Sequence, residues 1–348
     1  VIHAHASSAA ARRARDLFAK LDDPVLEPLS DSWWQSRAVF NPGVIFRHGV
    51  FHLLYRAISN DDVPPEYVSR LGYATSVDGV NFVRQGDGPV FAPESGYAYD
   101  RHGIEDPRVT VLGGRIYLTY VAIDVPALTR SKRSRTALAT TEDFRHFQRL
   151  GVLTPLPDID DRDWALFPRP FGGRYVALTR PQSINEDLDY VKWMTIDEPA
   201  GIWLGTSPSL TRWEMDRTAG NPVELVGLAP RAEWEHQKTG IGPPPIETDE
   251  GWLVIYHGKG ADHAYCGGIA LLDPENPLAV TARLPYPFLV PEKPWERNGD
   301  LADCVYPSGA AVKDGTLFVY YGAGDNRCGV AIANLDDVLA ELRRHPVR

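Results

Sequence analysis

Apolar and polar positions alternate along this chain in one motif that returns five times. A short apolar stretch runs into a tight polar turn with glycine, and an aromatic-rich strand follows. The copies are NPGVIFRHGVFHLLYR (41–56), EDPRVTVLGGRIYLTYV (105–121), ALFPRPFGGRYVALTR (165–180), GPPPIETDEGWLVIYHG (242–258) and YPSGAAVKDGTLFVYYG (306–322). Runs of β-branched and aromatic residues on either side of a glycine turn predict antiparallel hairpins. A second apolar strand follows each copy: LGYATS (71–76), RTALATT (135–141), GIWLGTS (201–207), GGIALLD (267–273) and CGVAIAN (328–334). Three of these continue toward a fourth strand, in DGVNFVR, EDFRHFQR and PSLTRWEM. The hairpins start at 41, 105, 165, 242 and 306, which are 64, 60, 77 and 64 residues apart.

Regular repetition of a three- to four-stranded antiparallel unit is the mark of a propeller blade. Five units predict an all-β, five-bladed β-propeller. A β-sandwich also contains many hairpins, but it has no reason to repeat the same one five times. Helical spacing appears only at the ends, in AAARRARDLFAKL (9–21) and LDDVLAELRRH (335–345). The expected organisation is a helical extension over 1–30, the catalytic propeller over 31–334 and a short terminal helix over 335–348. Segments 183–200 and 214–236 are long and polar and read as loops. The apolar face of the first helix would pack on its own propeller or on a neighbouring subunit, which leaves a homo-oligomer open.

Composition narrows the function. The 348 residues are 43% hydrophobic and 24% charged, ordinary values for a globular chain. A net charge of −10 argues against nucleic acid or an anionic membrane as partner. No apolar run is long enough to span a bilayer. Cys266, Cys304 and Cys328 are few and widely spaced, fitting neither a disulfide framework nor a CxxC zinc site. With no signal-peptide pattern at the start of the sequence, a reducing, cytoplasmic setting is expected. His102, His236 and His263 lack metal-ligand spacing, so no catalytic metal is expected.

In a small propeller the innermost strand of each blade lines a central channel. Polar residues near the ends of the repeated strands are therefore candidates for one shared site: Asn41, Glu105, Asp106, Arg108, Arg162, Arg180, Lys238 and His257, with Asp325 after the last aromatic strand. Arg162, Arg180, Lys238 and His257 suggest an anion pocket, since Arg offers a planar fork to phosphate oxygens and Lys a point charge. Asp106, on a channel floor, is placed to act as a protonated carboxyl group that donates to a leaving glycosidic oxygen.

Seven blocks together resemble glycoside hydrolase family 130, the family of β-mannoside phosphorylases and some β-mannosidases. They are FNPGVIF…FHLLYRA, LGYATSVDGVNF, GIEDPRV…YLTYVAID, LFPRPFGGRYVALTRP, IWLGTSPSLTRW, KTGIGPPPIETDEGWLVIYHG and YPSGAAV…LFVYYGAGD, in order from about residue 24 to about 340. The resemblance implies a five-bladed propeller and an inverting mechanism. It makes Asp106 the general acid, its proton passing through a sugar hydroxyl. It assigns phosphate to Arg162, Arg180, Lys238 and His257, and the mannosyl unit to Asn41, Arg56 and Asp325. Phosphorolysis of a β-mannoside would yield α-mannose 1-phosphate and a shortened acceptor, with inorganic phosphate as co-substrate and no cofactor. The sequence departs from the family pattern at Asp163, where an asparagine often follows the first phosphate arginine. The stretch 183–200 is also longer than usual. The competing expectations are an inverting β-mannosidase, with Asp163 or Glu247 as base, and a non-catalytic carbohydrate-binding propeller.

Overall fold

A computed structural model describes residues 9–62, 67–124, 134–153, 159–185, 188–191, 201–213 and 223–347. Five antiparallel sheets form the blades of a propeller. Blade 1 contains β2 (Ala38–Arg47), β3 (Val50–Ile58), β4 (Arg70–Ser76) and β5 (Val83–Arg84). Blade 2 contains β6 (Gly103–Leu112), β7 (Arg115–Ile123), β8 (Ser134–Thr141) and β9 (Phe147–Val152). Blade 3 is β10 (Ile159–Leu166), β11 (Tyr175–Asn185), β13 (Trp203–Ser207) and β14 (Val223–Leu225), with β12 (Leu188–Val191) paired beside β11. In blade 4 the inner strand is split into β15 (Lys238–Ile241) and β16 (Ile246–Thr248), followed by β17 (Gly251–Lys259), β18 (Tyr265–Leu272) and β19 (Val280–Arg283). Blade 5 has β20 (Val305–Lys313), β21 (Thr316–Ala323) and β22 (Arg327–Asn334). Its fourth strand is β1 (Ala19–Lys20), which pairs with Ile332 and Ala331 and so closes the ring with the chain's own beginning.

Several sequence expectations need correction. The first helix, α1, spans only Ala9–Asp16, because the residues after it are recruited into blade 5. Phe18 then packs on Phe288 of the same chain at 4.4 Å between ring centroids. The last helix ends at Leu342, after α2 (Pro294–Arg297) and within α3 (Leu335–Leu342). The fourth strand of blade 3 is not PSLTRWEM: Ser209 and Arg212 close a tight turn, and Val223–Leu225 takes the edge. The polar stretches read as loops contain β12, β14 and a short 3₁₀ turn at Glu233–Glu235. Residues 186–187, 192–200 and 214–222 of those stretches lie outside the described residues.

The blade pattern follows from burial on both faces. Successive side chains of a strand point to opposite sides. On β3, Leu53 joins the core between blades 5 and 1, while Leu54 joins the core between blades 1 and 2. On β17, Leu253 and Ile255 face blade 5, and Trp252, Val254 and Tyr256 face blade 3. Each interface between neighbouring blades thus has its own apolar cluster. Strands buried on both sides read as unbroken apolar runs, which is why the hairpins are so apolar in sequence. The tyrosines of the second strands add a polar anchor. Tyr55, Tyr120, Tyr256 and Tyr321 donate to Gln35, Asp100, Glu235 and Glu296 at 2.8–3.0 Å. The hairpin turns point away from the channel mouth. At Gly113-Gly114 both turn residues have positive φ (57° and 81°), the geometry a two-residue hairpin needs.

Candidate active site

The innermost strands do not run straight. The register of β2 against β3 slips between Phe40 and Gly43, that of β6 against β7 between Glu105 and Arg108, and that of β10 against β11 between Arg162 and Ala165. In blade 5 the slip falls between Pro307 and Gly309, and in blade 4 it becomes the gap between β15 and β16. A bulge re-aims side chains. At the first three bulges the residue thrown toward the axis is Asn41, Asp106 and Asp163, with φ of 47°, 49° and 62°. Asn and Asp are the non-glycine residues that best tolerate this left-handed region.

The bulges also bring backbones together around the axis. A Cβ on Gly43 would sit 2.4 Å from the Pro107 carbonyl oxygen, and one on Gly309 would sit 2.6 Å from that of Pro42. The channel beneath is filled by Arg108, which is 1% exposed. Its Nε donates to the Gly242 carbonyl at 2.6 Å. Its Nη2 reaches the Ile241 carbonyl, Asp163 Oδ1 and the Tyr306 hydroxyl at 2.9–3.1 Å. One guanidinium therefore ties blades 2, 3, 4 and 5 and closes the floor.

Above it lies a cavity of about 140 Å³, lined by Asn41, Arg56, Asp106, Arg162, Arg180, Lys238, His257 and Asp325. Eight of the ten side chains singled out above converge there; Glu105 stands behind Arg56, and Arg108 lies in the floor. Asp163, Tyr265, Leu301, Cys304 and Tyr306 complete the wall. Tyr306 and Tyr265 were missed by sequence reasoning. Tyr306 carried a usable signal, since YPSG opens the last repeat as FNPG and EDPR open earlier ones, and Tyr306 lies just before the bulge of that inner strand. A larger cavity of about 780 Å³, at the hairpin end of blades 1 and 2, holds none of these groups.

Two clusters face each other across the site. On blades 1 and 2, Asn41 Nδ2 donates to Asp106 Oδ1 at 2.8 Å, and Arg56 Nη1 to the same oxygen at 3.3 Å. Both bonds fall on Oδ1, which leaves Oδ2 for a ligand. Arg56 also donates to Glu105 Oε1 at 2.7 Å and to Ser69 Oγ at 2.9 Å. Asp325 stands beside this cluster. Burial pushes its carboxyl up to about 7, against the pull of Arg56 and with the help of Asp106.

The second cluster comes from blades 3 and 4. Asp163, 1% exposed, takes Arg180 Nε on Oδ2 at 2.6 Å, and Tyr306 and Arg108 on Oδ1 at 2.5 and 3.1 Å. His257 Nε2 stands 3.9 Å from Oδ2. Burial would raise the Asp163 carboxyl, but Arg180, Arg108 and His257 outweigh it and hold the group well below the usual carboxylate range. Burial and then Arg180 press the Lys238 ammonium well below its ordinary value. Burial lowers His257 as well, with Asp163 opposing. His257 Nδ1 is buried without a hydrogen-bond partner among the described residues. Arg162 spans the two clusters, 3.9 Å from Glu105 Oε2. Glu247, considered as a base, is elsewhere: it pairs with Arg169 at 2.8 Å and does not line the cavity. The three cysteines are free and buried.

The described residues form a five-bladed propeller whose mouth carries a carboxyl group on one wall and a cluster of cationic side chains on the other. The chain belongs to glycoside hydrolase family 130. The sequence profile of that family, described as beta-1,4-mannooligosaccharide phosphorylase, matches residues 21–344. The chain is 36% identical over 323 residues to a 1,2-beta-oligomannan phosphorylase of Thermoanaerobacter sp. (strain X514), covering 91% of this chain and 97% of that one. It is 32% identical to a beta-1,2-mannobiose phosphorylase of the same organism, covering 90% and 96%. Among solved structures, the beta-1,2-mannobiose phosphorylase of Listeria innocua in complex with beta-1,2-mannobiose superposes with a TM-score of 0.77. That match has 25% identity and covers 94% of this chain and 99% of the other.

Proposed function

We propose that this protein is an inverting β-mannoside phosphorylase, acting on β-1,2-linked mannosides. Phosphate sits against Arg162, Arg180, Lys238 and His257 and attacks the anomeric carbon from the face opposite the leaving sugar. The C1–O glycosidic bond breaks as a C1–O–P bond forms, turning the β-mannoside into α-mannose 1-phosphate. Asp106 supplies the proton that the leaving oxygen takes up, and Asn41, Arg56 and Asp325 hold the mannosyl unit. Phosphate carries its own negative charge, so no base is required; hydrolysis would need one, with room for a water.

The observation that carries this reading is the state of Asp163. A hydrolase needs a carboxylate able to accept a proton from water. Asp163 is committed to Arg180, Arg108 and Tyr306 and strongly favours its ionised form. Its charge is spent within the protein, which reconciles a carboxylate with a neighbouring anion site. Arriving phosphate also gives buried Lys238 and His257 the negative partner that favours their charged forms. The β-1,2 linkage rests on three relatives above 30% identity, all named for β-1,2 substrates. Three buried free cysteines support a reducing compartment such as the cytoplasm.

The test incubates the protein with β-1,2- and β-1,4-mannobiose, with and without inorganic phosphate. Mannose 1-phosphate forms only with phosphate present, and faster from the β-1,2 substrate. Release of free mannose at the same rate without phosphate would overturn phosphorolysis, and a preference for β-1,4 would overturn the linkage.

A further inference from the structure

The direction in which the leaving sugar departs follows from the placement of the two clusters, given the phosphorolysis proposed above. In-line displacement puts nucleophile and leaving oxygen on opposite faces of the anomeric carbon. The cations come from blades 3 and 4, whereas Asp106 is held by Asn41 and Arg56 of blade 1. Arg108 closes the floor. A substrate longer than a disaccharide then runs outward on the side of blades 1 and 2, which surround Asp106.

One side chain on that path is exposed without an evident structural duty. Trp33 is 59% exposed, the most open aromatic among the described residues, while its neighbour Trp34 is 1% exposed and donates to the Asp87 carbonyl. Trp33 is linked to the site through a short series of contacts. Arg56, in the cavity wall, donates to Ser69 Oγ at 2.9 Å, and the next residue, Arg70, places its guanidinium 5.5 Å from the Trp33 ring centroid. Arg70 is itself fixed, by Asp62 at 3.2 and 3.3 Å and by the Val68 carbonyl at 2.9 Å. The indole is thus supported by an anchored cation rather than left loose, with much of its apolar surface open to solvent. We propose that Trp33 is a specificity-determining residue: a stacking platform for a distal mannosyl unit of the leaving chain, favouring oligomannosides over the disaccharide. The apolar C–H face of a pyranose fits a flat indole, and such a contact adds to area burial.

The test compares wild type with Trp33→Ala and Trp33→Phe on β-1,2-mannobiose and β-1,2-mannotetraose. Trp33→Ala lowers kcat/KM for the tetraose about fivefold to tenfold and leaves the biose within about twofold. Trp33→Phe recovers part of the loss. Equal effects on both lengths would overturn the platform. Calorimetric binding of the two sugars without phosphate reads the same contact independently of turnover. There, Trp33→Ala weakens the tetraose selectively, and unchanged tetraose affinity overturns the platform. Absence of mannose 1-phosphate from the wild type would instead count against phosphorolysis, while the binding comparison still decides on Trp33.

Discussion

Asp106→Asn is the most informative perturbation because the structure makes it almost silent for folding. Asn41 and Arg56 both donate to Oδ1 of Asp106, at 2.8 and 3.3 Å. An asparagine can keep its carbonyl oxygen in that position and place its amide where Oδ2 stood. The left-handed backbone at 106, φ 49°, also suits asparagine, as Asn41 demonstrates in the neighbouring blade. On the proposed role, what disappears is the oxygen that carries the proton to the leaving group. General acid catalysis contributes about 10²- to 10⁴-fold, or roughly 3–5 kcal/mol of barrier. Phosphorolysis of β-1,2-mannobiose, followed as mannose 1-phosphate, is therefore expected to fall by about that factor. A 4-nitrophenyl β-mannoside has a leaving group that departs without protonation, so its turnover should fall by less than about tenfold. The thermal midpoint should stay near that of the wild type. Equal losses on both substrates with an unchanged midpoint would show that Asp106 positions the substrate rather than protonating the leaving oxygen. Full activity on the disaccharide would remove it from the chemistry.

Three further outcomes are expected. Lys238→Ala raises the KM for phosphate about 10- to 100-fold, the scale of one hydrogen bond to a charged group, and leaves the KM for mannoside unchanged; a rise in both would take Lys238 out of the anion pocket. Asp163→Ala strands the buried cations Arg108 and Arg180 and costs about 3–5 kcal/mol, seen as an earlier denaturant midpoint. A wild-type midpoint would mean the carboxylate is not holding the cluster. Asp325 has a folded-state carboxyl raised to about 7, so the folded protein binds an extra proton between the unfolded value and 7. Stability from this group is present at acid pH and lost as pH rises through about 7. Asp325→Asn should therefore gain stability relative to wild type at pH 8 and lose that gain toward pH 4, and a gain equal at both pH values would refute it.

The blades were legible in the sequence because burial on both faces writes long apolar runs punctuated by turns, five times over. The site residues were legible for a related reason. Inner strands end at the channel, so polar residues at the starts of repeats had nowhere else to meet. The failures are equally physical. The outer strands are short, β14 and β5 being three and two residues long. They carry little apolar pattern, so PSLTRWEM was mistaken for an edge that Val223–Leu225 occupies. The strand Ala19–Lys20 is too short to show a period, and only its pairing with Ile332 and Ala331 reveals it. Arg108 stood among the candidates without a role, because a charged residue after proline gives no hint that it will plug a channel.

Asn41, Asp106 and Asp163 occupy the same bulge in three successive blades, and each has been put to a different use by its neighbours. Beside Asp106 stand Asn41 and Arg56, which both donate to one carboxylate oxygen and leave the other toward the cavity. Around Asp163 stand Arg108, Arg180 and Tyr306, which consume both oxygens. Asn41 cannot ionise and serves as donor to its neighbour in blade 2. Similar backbone geometry thus yields a carboxyl group with one oxygen facing the cavity, a buried counter-ion and a neutral hydrogen-bond donor. Repetition supplies the positions, and the side chains that the adjacent blades send to each bulge decide the chemistry. A second carboxylate at the channel therefore does not make this a two-carboxylate hydrolase. Here Arg108 and Arg180 have already claimed it.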